Sequence, residues 1–263
     1  MPSDQRSHSR PHALIILAHP EPKSFNAQLA ALAAERLARR GYTVELADLC
    51  AQGFDPLEGP HHYSTRHDDD WFRPQDEQRH AAKVGAIPAD VQAEIDKLDR
   101  ADVLLLQYPM WWYQPPAILK GWLDRVLTYG GVYTSRVRYD RGRYRGRRAM
   151  LSVTTGAPEE TFSYNGRNGD IDLLLWPMCF TLHYVGYSVL PPFVSFGVEA
   201  GLSYSDPQAV MERLARHRQR LCTSLEEIES TEPMRFNGWD DWDEMGRLRA
   251  GVEGHSPFMR AEP

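Results

Sequence analysis

A chain of 263 residues with 42% hydrophobic residues can bury a sizeable core, and it suits one α/β domain with a terminal extension. The formal net charge of −6 gives no general attraction to polyanions, so nucleic-acid binding is not expected. The basic stretch at 136–148 is short, and its residues 139–148 are predicted to form an exposed turn with solvated charges. Cys50, Cys179 and Cys222 have neither a metal-binding spacing nor the even number of a secreted disulfide framework.

The two ends of the chain differ from its middle. Residues 1–12 are polar, which predicts a loose N-terminal arm and neither a signal peptide nor a membrane anchor. A cytoplasmic protein without membrane insertion is therefore expected. The main domain is predicted at 13–229. Residues 230–263 have aromatic residues without periodicity and are expected to form an irregular C-terminal extension that packs on the body or on a partner subunit.

The first elements alternate between strand and helix patterns. Residues 13–18 form an apolar run typical of a buried parallel strand. A helical pattern follows, with Ser24 as its N-cap and Gly41 as its stop. Residues 42–46 alternate and predict an edge strand. Periodicity is absent from 51 to 86, which predicts a long loop or flap.

The remaining elements continue this alternation. They are, in chain order, a helix opening at Pro88, a strand at 103–107, a helix opening at Pro115, a strand at 149–154, a helix at 170–183 kinked near Pro177, a strand at 189–196 and a helix opening at Asp206. Such an order predicts a doubly wound parallel sheet. The proline pair at 191–192 favours an edge position for the last strand.

Ligands of open parallel sheets bind beyond the carboxyl ends of the strands, which selects the loops at 19–26, 109–113 and 154–158. The first loop has neither GxGxxG nor GxxxxGK[ST]. It does place Ser24 and Asn26 at a helix N-terminus, where backbone N–H groups can hold a phosphate. A simple N-cap would account for Ser24 equally well.

The aromatic residues Trp111, Trp112 and Tyr113 directly follow a strand. Three adjacent large rings cannot all point into one core, so at least one is expected to face a ligand, a lid or another subunit, while one or two could still be buried. The hydroxyls at 154–155 and the bare backbone of Gly156 suit the edge of a planar ring. A phosphate site beside an aromatic slot fits a flavin.

The histidines and aspartates between residues 61 and 70 offer imidazole and carboxylate groups. Their spacing matches no diagnostic ligand pattern. No metal site is therefore predicted.

Seven segments resemble, in the family's order, the flavodoxin-like NAD(P)H:quinone oxidoreductases, which include mammalian quinone reductase and bacterial relatives. They are LAHPEPKSFN, DLCAQGFDP, QYPMWWYQPPAILKGWLDRV, LSVTTG, NGD, LLWPM and LHYVGY. The resemblance implies a five-stranded parallel sheet in the order 2-1-3-4-5 with helices on both faces. It also implies a homodimer with FAD, in preference to FMN, at the subunit interface. The implied reaction is ping-pong hydride transfer from NAD(P)H to flavin N5 and then to a quinone.

The resemblance also implies roles for residues at matching positions. The diphosphate and ribityl chain would contact His19, Ser24, Phe25 and Asn26. The isoalloxazine ring would contact Pro109, Met110, Trp111, Trp112, Tyr113, Thr154, Thr155, Gly156 and Ala157. The substrate would contact Trp112 and Tyr113, and also Tyr133 and Thr134 of the neighbouring subunit. Arg73 would lie in the flap near the adenine.

Two positions depart from the family pattern. Where the mammalian enzyme has a tyrosine and a histidine that relay charge, this chain has Phe162 and Asn168. Phe162 has no hydroxyl, and Asn168 cannot carry a proton near neutral pH. Because hydride transfer is the cofactor's chemistry, reduction is expected to persist with protons from water or Tyr164. The candidate catalytic residues are Tyr133, Phe162 and Asn168. Of these, Asn168 could donate an N–H hydrogen bond to a flavin or substrate oxygen.

Two other functions stay open on the sequence alone. Related flavodoxin-like proteins are regulatory subunits of potassium-efflux antiporters, and the aromatic C-terminal extension could contact such a partner. Azo and nitro reductases differ only in the electron acceptor.

Overall fold

The computed structural model describes residues 10–199 and 206–259, so residues 1–9 of the predicted N-terminal arm lie outside the described residues. Within these ranges strands and helices alternate. They are β1 (His12–Leu17), α1 (Phe25–Arg39), β2 (Thr43–Asp48), α2 (Pro74–Val84), α3 (Ala89–Arg100), β3 (Val103–Pro109), α4 (Ala117–Val126), β4 (Arg148–Thr154), α5 (Ile171–Tyr184), β5 (Ser188–Val189), β6 (Phe193–Ser195) and α6 (Pro207–Glu226). None of these helices is both long and apolar enough to cross a membrane.

The sheet has the order β2-β1-β3-β4-β5, with β6 also paired to β4, and every pairing is parallel. This is the predicted flavodoxin-like arrangement. Successive side chains of a strand point to opposite faces, and β1 shows this directly. Ile15 packs in the core on the face covered by α1 and α6, whereas Leu14 and Ile16 pack in the core on the other face. Burial on both faces explains why β1 and β3 are continuous apolar runs.

The start of α1 is fixed by its N-cap. The Ser24 hydroxyl accepts a hydrogen bond from the Ala27 N–H at 3.1 Å, as predicted. Gly41, with φ of +93°, follows the helix and lets the chain turn directly into β2. The β1–α1 loop therefore ends at a defined point above the carboxyl edge of the sheet.

Residues 51–86 are not the single loop that was predicted, because Pro74–Val84 forms α2. The buried face of this helix consists of Glu77, Gln78 and Ala81 rather than large apolar residues. The Glu77 carboxylate accepts hydrogen bonds from Arg66 Nε at 3.0 Å and from the His67 N–H at 2.7 Å. A helix that buries polar groups with partners lacks the apolar periodicity on which the prediction depended.

The predicted fifth strand at 189–196 is divided into β5 and β6, which pair with opposite ends of β4. Pro191 and Pro192 lie between the two pieces. Proline has no backbone N–H and cannot continue the ladder, which explains the division.

The basic stretch is not simply an exposed turn with solvated charges. Tyr144 is fully buried, and Arg143 Nε donates to Asp99 Oδ1 at 2.8 Å. Arg147 donates to the backbone carbonyls of Leu98 and Asp99. These arginines join the turn to the end of α3, so their hydrogen bonds stabilise the packing of the turn.

The described part of the C-terminal extension contacts α5 and β5 of the same chain. The Phe236 ring is stacked on His183, with centroids 4.4 Å apart. The Met234 N–H donates to the Val189 carbonyl at 2.8 Å. Asn237 is buried and joins the extension to itself through the Glu253 carbonyl and the His255 N–H.

Candidate functional site

The three loops at the carboxyl ends of β1, β3 and β4 touch one another. The Met110 N–H donates to the Thr154 carbonyl at 2.8 Å, which joins the β3 and β4 loops. The His19 and Trp111 rings meet edge to face, with centroids 5.9 Å apart. Asn26 Nδ2 donates to Thr154 Oγ1 at 2.9 Å. The loops selected from the sequence therefore form one continuous surface.

The aromatic turn, Trp111–Gln114, is a tight reversal closed by two hydrogen bonds between its end residues, of 2.9 and 3.0 Å. Its central residues, Trp112 and Tyr113, have φ of 50° and 63°. Positive φ is rare for bulky residues and stores local strain, which is found most often at functional sites. The side chain of Trp112 is 93% exposed and those of Trp111 and Tyr113 are 44% exposed, so none of the three rings is buried in the core of this chain.

The β1–α1 loop presents backbone N–H groups that could hold an anion. The N–H groups of Phe25 and Asn26 begin α1 and have no carbonyl partner within the helix. The helix dipole adds partial positive charge at the same point. The Ser24 oxygen accepts from Ala27, which leaves its hydroxyl hydrogen free to donate. His19 Nδ1 accepts the Glu21 N–H at 3.0 Å and so stabilises the preceding turn.

Asn26 points inward rather than toward the loop surface. Its side chain is 3% exposed, and Oδ1 accepts from Gln107 Nε2 at 2.8 Å. Together with the bond to Thr154, this network holds the β1–α1 loop to β3 and β4. Sequence reasoning missed Gln107, although an amide inside an otherwise apolar strand was the available signal.

The β4 loop leaves room for a flat ligand. The Thr155 N–H donates to the Ser195 carbonyl and its hydroxyl to the Ala157 carbonyl, both at 2.9 Å. Gly156 is exposed, and a Cβ built there would have only the Val198 carbonyl oxygen within 4 Å, at 3.9 Å. Nothing within the described chain requires glycine at this position. Close approach of a planar ring to the backbone would require it, so this loop fits a flavin.

The candidate relay residues have other partners. Phe162 is buried, and its ring centroid lies 5.8 Å from that of Phe196. Asn168 Nδ2 donates to Thr161 Oγ1 at 2.8 Å and so orders its own loop. Tyr164 is 85% exposed, which leaves its hydroxyl open to solvent.

Besides the surface formed by the three loops, the chain has a cleft of about 570 Å³ that begins at Gln114, the last residue of the aromatic turn. It is called the second cleft below. Its lining includes Gln75, Gln114, Tyr133, Met178, Phe180 and Tyr184. Tyr133 Oη accepts from Gln75 Nε2 at 3.2 Å, and burial raises the pKa of its hydroxyl. The hydroxyl therefore keeps its proton near neutral pH. Thr134 Oγ1 accepts from the Arg136 and Val137 N–H groups, so this side chain stabilises the adjoining turn.

Two arginines are further candidates for binding an anionic group, one beside α1 and one before α2. Arg218 was missed by sequence reasoning: its guanidinium carbon lies 5.1 Å from the Phe25 ring centroid, and Nη2 donates to Gln28 Oε1 at 2.7 Å. This puts a cation beside the first turn of α1. Arg73, which precedes α2, lies 6.0 Å from the Trp71 ring centroid, and its side chain is 57% exposed.

A parallel sheet in the order 2-1-3-4-5, with its site at the carboxyl ends of the central strands, defines the class of flavodoxin-like proteins. The family model described as flavodoxin-like fold matches residues 11–221.

Comparison with known proteins narrows the class. The chain is 38% identical over 211 residues to NAD(P)H dehydrogenase (quinone) 1 of Cavia porcellus, covering 80% of this chain and 75% of the relative. It is 39% identical over 233 residues to ribosyldihydronicotinamide dehydrogenase (quinone) of Mus musculus, covering 85% and 96%. The crystal structure of a quinone reductase candidate from Klebsiella pneumoniae matches with a TM-score of 0.84 and 33% identity, covering 95% of this chain and 98% of that one.

The chain belongs to the flavodoxin-like family that includes the quinone dehydrogenases, and it is an oxidoreductase. The relatives do not favour an antiporter subunit or an azo or nitro reductase.

Proposed function

We propose that this protein is an FAD-dependent NAD(P)H:quinone oxidoreductase. The aromatic turn is the observation that carries the proposal. It presents three large rings at the carboxyl edge of the sheet, in a strained backbone conformation and against the loops of β1 and β4. A solvent-facing aromatic surface of this kind is costly unless a ligand covers it.

The residues present fit the parts of FAD. The N–H groups of Phe25 and Asn26 and the hydroxyl of Ser24 would hold the diphosphate, and Arg218 adds a nearby positive charge. The aromatic turn would contact the isoalloxazine ring, whose edge would lie against the β4 loop at 154–157. Bound by these residues, a flavin would supply two-electron hydride chemistry between a nicotinamide and a quinone, with one substrate leaving before the other binds.

The second cleft is the proposed substrate side of the site. Since Tyr133 Oη accepts from Gln75 and keeps its own proton, it can donate a hydrogen bond to a quinone oxygen. We propose a homodimer in which this cleft would face the flavin of the neighbouring subunit. Tyr164 and water would supply protons in place of a relay, and Asn168 would supply only a hydrogen bond, because Phe162 is buried without a polar group.

The cofactor test is the absorbance spectrum of the purified protein, followed by chromatography of the nucleotide released on denaturation. A flavin spectrum with bands near those of free FAD and release of FAD are expected. A colourless protein that gains no flavin on incubation with FAD would contradict the proposal.

The activity test is quinone-dependent oxidation of NADH and NADPH by the isolated protein, with rates measured at varied concentrations of both substrates. Parallel double-reciprocal plots are expected for ping-pong transfer. Tyr133→Ala should raise the KM for the quinone while the flavin spectrum is unchanged. Light scattering should give the mass of a dimer, and a monomer with full activity would refute the proposed contribution of a second subunit.

A further inference from the structure

A cluster of ligand-type side chains lies outside the flavin loops, after β2. Asp55 Oδ2 is 3.4 Å from His61 Nε2 and 3.5 Å from His62 Nε2. One ligand atom from each of the three residues lies within 4.8 Å of the other two. The two imidazole rings are adjacent, with centroids 3.9 Å apart and planes tilted by 41°.

The spacing of these atoms matches a coordination sphere better than a set of hydrogen bonds. Zinc bonds of roughly 2.0–2.2 Å in a tetrahedron put neighbouring ligand atoms about 3.3–3.5 Å apart. Both separations between Asp55 and the histidines fall at this value. A well-formed N–H···O hydrogen bond is shorter, at about 2.7–3.2 Å.

The backbone orients the cluster. Asp55 Oδ1 accepts the Leu57 N–H at 2.9 Å, which leaves Oδ2 directed at the histidines. His62 Nε2 contacts the Leu57 carbonyl at 2.9 Å, so an ion at this nitrogen would take the place of one proton. At Gly59 a Cβ would lie 2.8 Å from His61 Cε1 and Nδ1, so the ring can occupy this position only beside glycine.

The charge near the cluster permits a cation. Arg125 donates to the Asp55 carbonyl at 2.8 Å, but it also donates to the Asp90 carboxylate at 2.7 Å. That ion pair offsets the positive charge of the guanidinium. The Asp55 carboxylate therefore remains available to a metal ion.

We propose that Asp55, His61 and His62 form a binding site for a divalent zinc ion, with water as the fourth ligand. Two imidazoles and one carboxylate suit zinc among the borderline metals. The sequence predicted no metal because the spacing of the histidines and aspartates at 61–70 matches no diagnostic ligand pattern. The fold instead supplies Asp55 from the other end of the loop.

The proposed ion would secure one wall of the second cleft. Glu58, which lines that cleft, lies between Asp55 and His61 in the sequence. Pro56 packs so closely on α4 that a Cβ at Gly121 would be 2.1 Å from its carbonyl oxygen. A metal that joins residues 55 and 62 would hold this segment against α4 and so would have a structural role.

The first test is calorimetric titration of zinc chloride into the tag-free, flavin-loaded protein after treatment with a chelator. One zinc per chain is expected. His61→Gln and Asp55→Asn should each weaken binding at least tenfold, because each removes one of three ligands. His67→Gln, which changes a neighbouring exposed histidine outside the cluster, should bind as the wild type does. All variants should retain the flavin spectrum, which shows that they are folded.

Absence of binding, or equal binding by the wild type and both ligand variants, would overturn the proposal. X-ray absorption on the zinc-loaded protein supplies a second test. Nitrogen and oxygen neighbours at roughly 2.0–2.2 Å are expected. A sulfur neighbour would instead assign the ion to a cysteine such as Cys50 and would also overturn the proposal.

Discussion

Trp111, Trp112 and Tyr113 project from a short turn into solvent, whereas Phe236 of the C-terminal extension packs against both Trp176 and His183 of α5. Both groups consist of large flat rings. The difference comes from the backbone. Trp176 and His183 are seven residues apart on one face of a helix and offer a flat surface to a third ring. The aromatic turn reverses the chain within four residues and cannot fold its own rings inward. Ring exposure therefore marks the turn as the proposed ligand surface, and ring packing marks a contribution to stability beneath the extension.

Of the substitutions that test this difference, Phe236→Ala is expected to have the largest effect, which is a loss of stability. This ring packs 4.4 Å from His183 and 4.9 Å from Trp176, so its removal should lower the free energy of unfolding by about 3 kcal/mol. Urea unfolding followed by circular dichroism measures the change. Phe258→Ala, at a ring that is 57% exposed, should change stability by less than about 0.5 kcal/mol. Equal losses in the two variants would show that the extension does not depend on this stack.

Asn26→Ala should affect both stability and the flavin site. The substitution leaves the buried Gln107 amide without its acceptor, at a cost of about 2 kcal/mol. It also frees the β1–α1 loop from Thr154, so the flavin affinity should fall. Urea unfolding and fluorescence titration with FAD test the two effects. Ser152→Ala is a control within the same sheet, since it removes a buried hydroxyl but none of the Asn26 partners.

Trp112→Ala should separate function from stability. Because the ring is 93% exposed, the free energy of unfolding should change by less than about 0.5 kcal/mol. Loss of its contact with the flavin should weaken FAD binding by roughly tenfold, which corresponds to about 1.4 kcal/mol. Equilibrium binding of FAD to the flavin-free protein is the measurement. An unchanged dissociation constant would remove Trp112 from the flavin site.

The smallest expected effect is a dependence of stability on mildly acidic pH. Burial lowers the pKa of His183 and of His217 below the ordinary value of 6.5, so the unfolded chain binds protons more readily than the folded one. Their neutral forms give full stability above pH 6.5, and stability is lost as the pH falls from 6.5 through the lowered values. Thermal unfolding midpoints from pH 7.5 down to 5 measure the slope. His217→Gln should reduce it, and an identical slope in that variant would exclude this histidine as a source.

Much of the fold was predictable because the central strands are buried on both faces, and their sequences are therefore runs of mostly apolar residues. The site loops followed from the rule that places ligands at strand ends. Several of the errors share one physical cause, which is that polar groups buried with partners have no hydrophobic signature. This applies to Glu77 in α2 and to Gln107 beneath the loops, whereas Arg143 and Arg147 in the basic turn remain partly exposed but have partners in α3. Arg218 reaches Phe25 only through the packing of α6 on α1. Asp55 and the histidines meet only because the intervening loop closes on itself.

The division of the last strand limits how the sheet edges of two copies of this chain can pair at high protein concentration. An outer strand with free N–H and C=O groups invites pairing with another molecule and so promotes aggregation. Here Pro191 and Pro192 provide no N–H groups, and the Val189 carbonyl is already occupied by Met234 of the extension. The sheet therefore offers a neighbouring molecule only short, interrupted lengths of strand on this side, which protects it from growing into an intermolecular sheet.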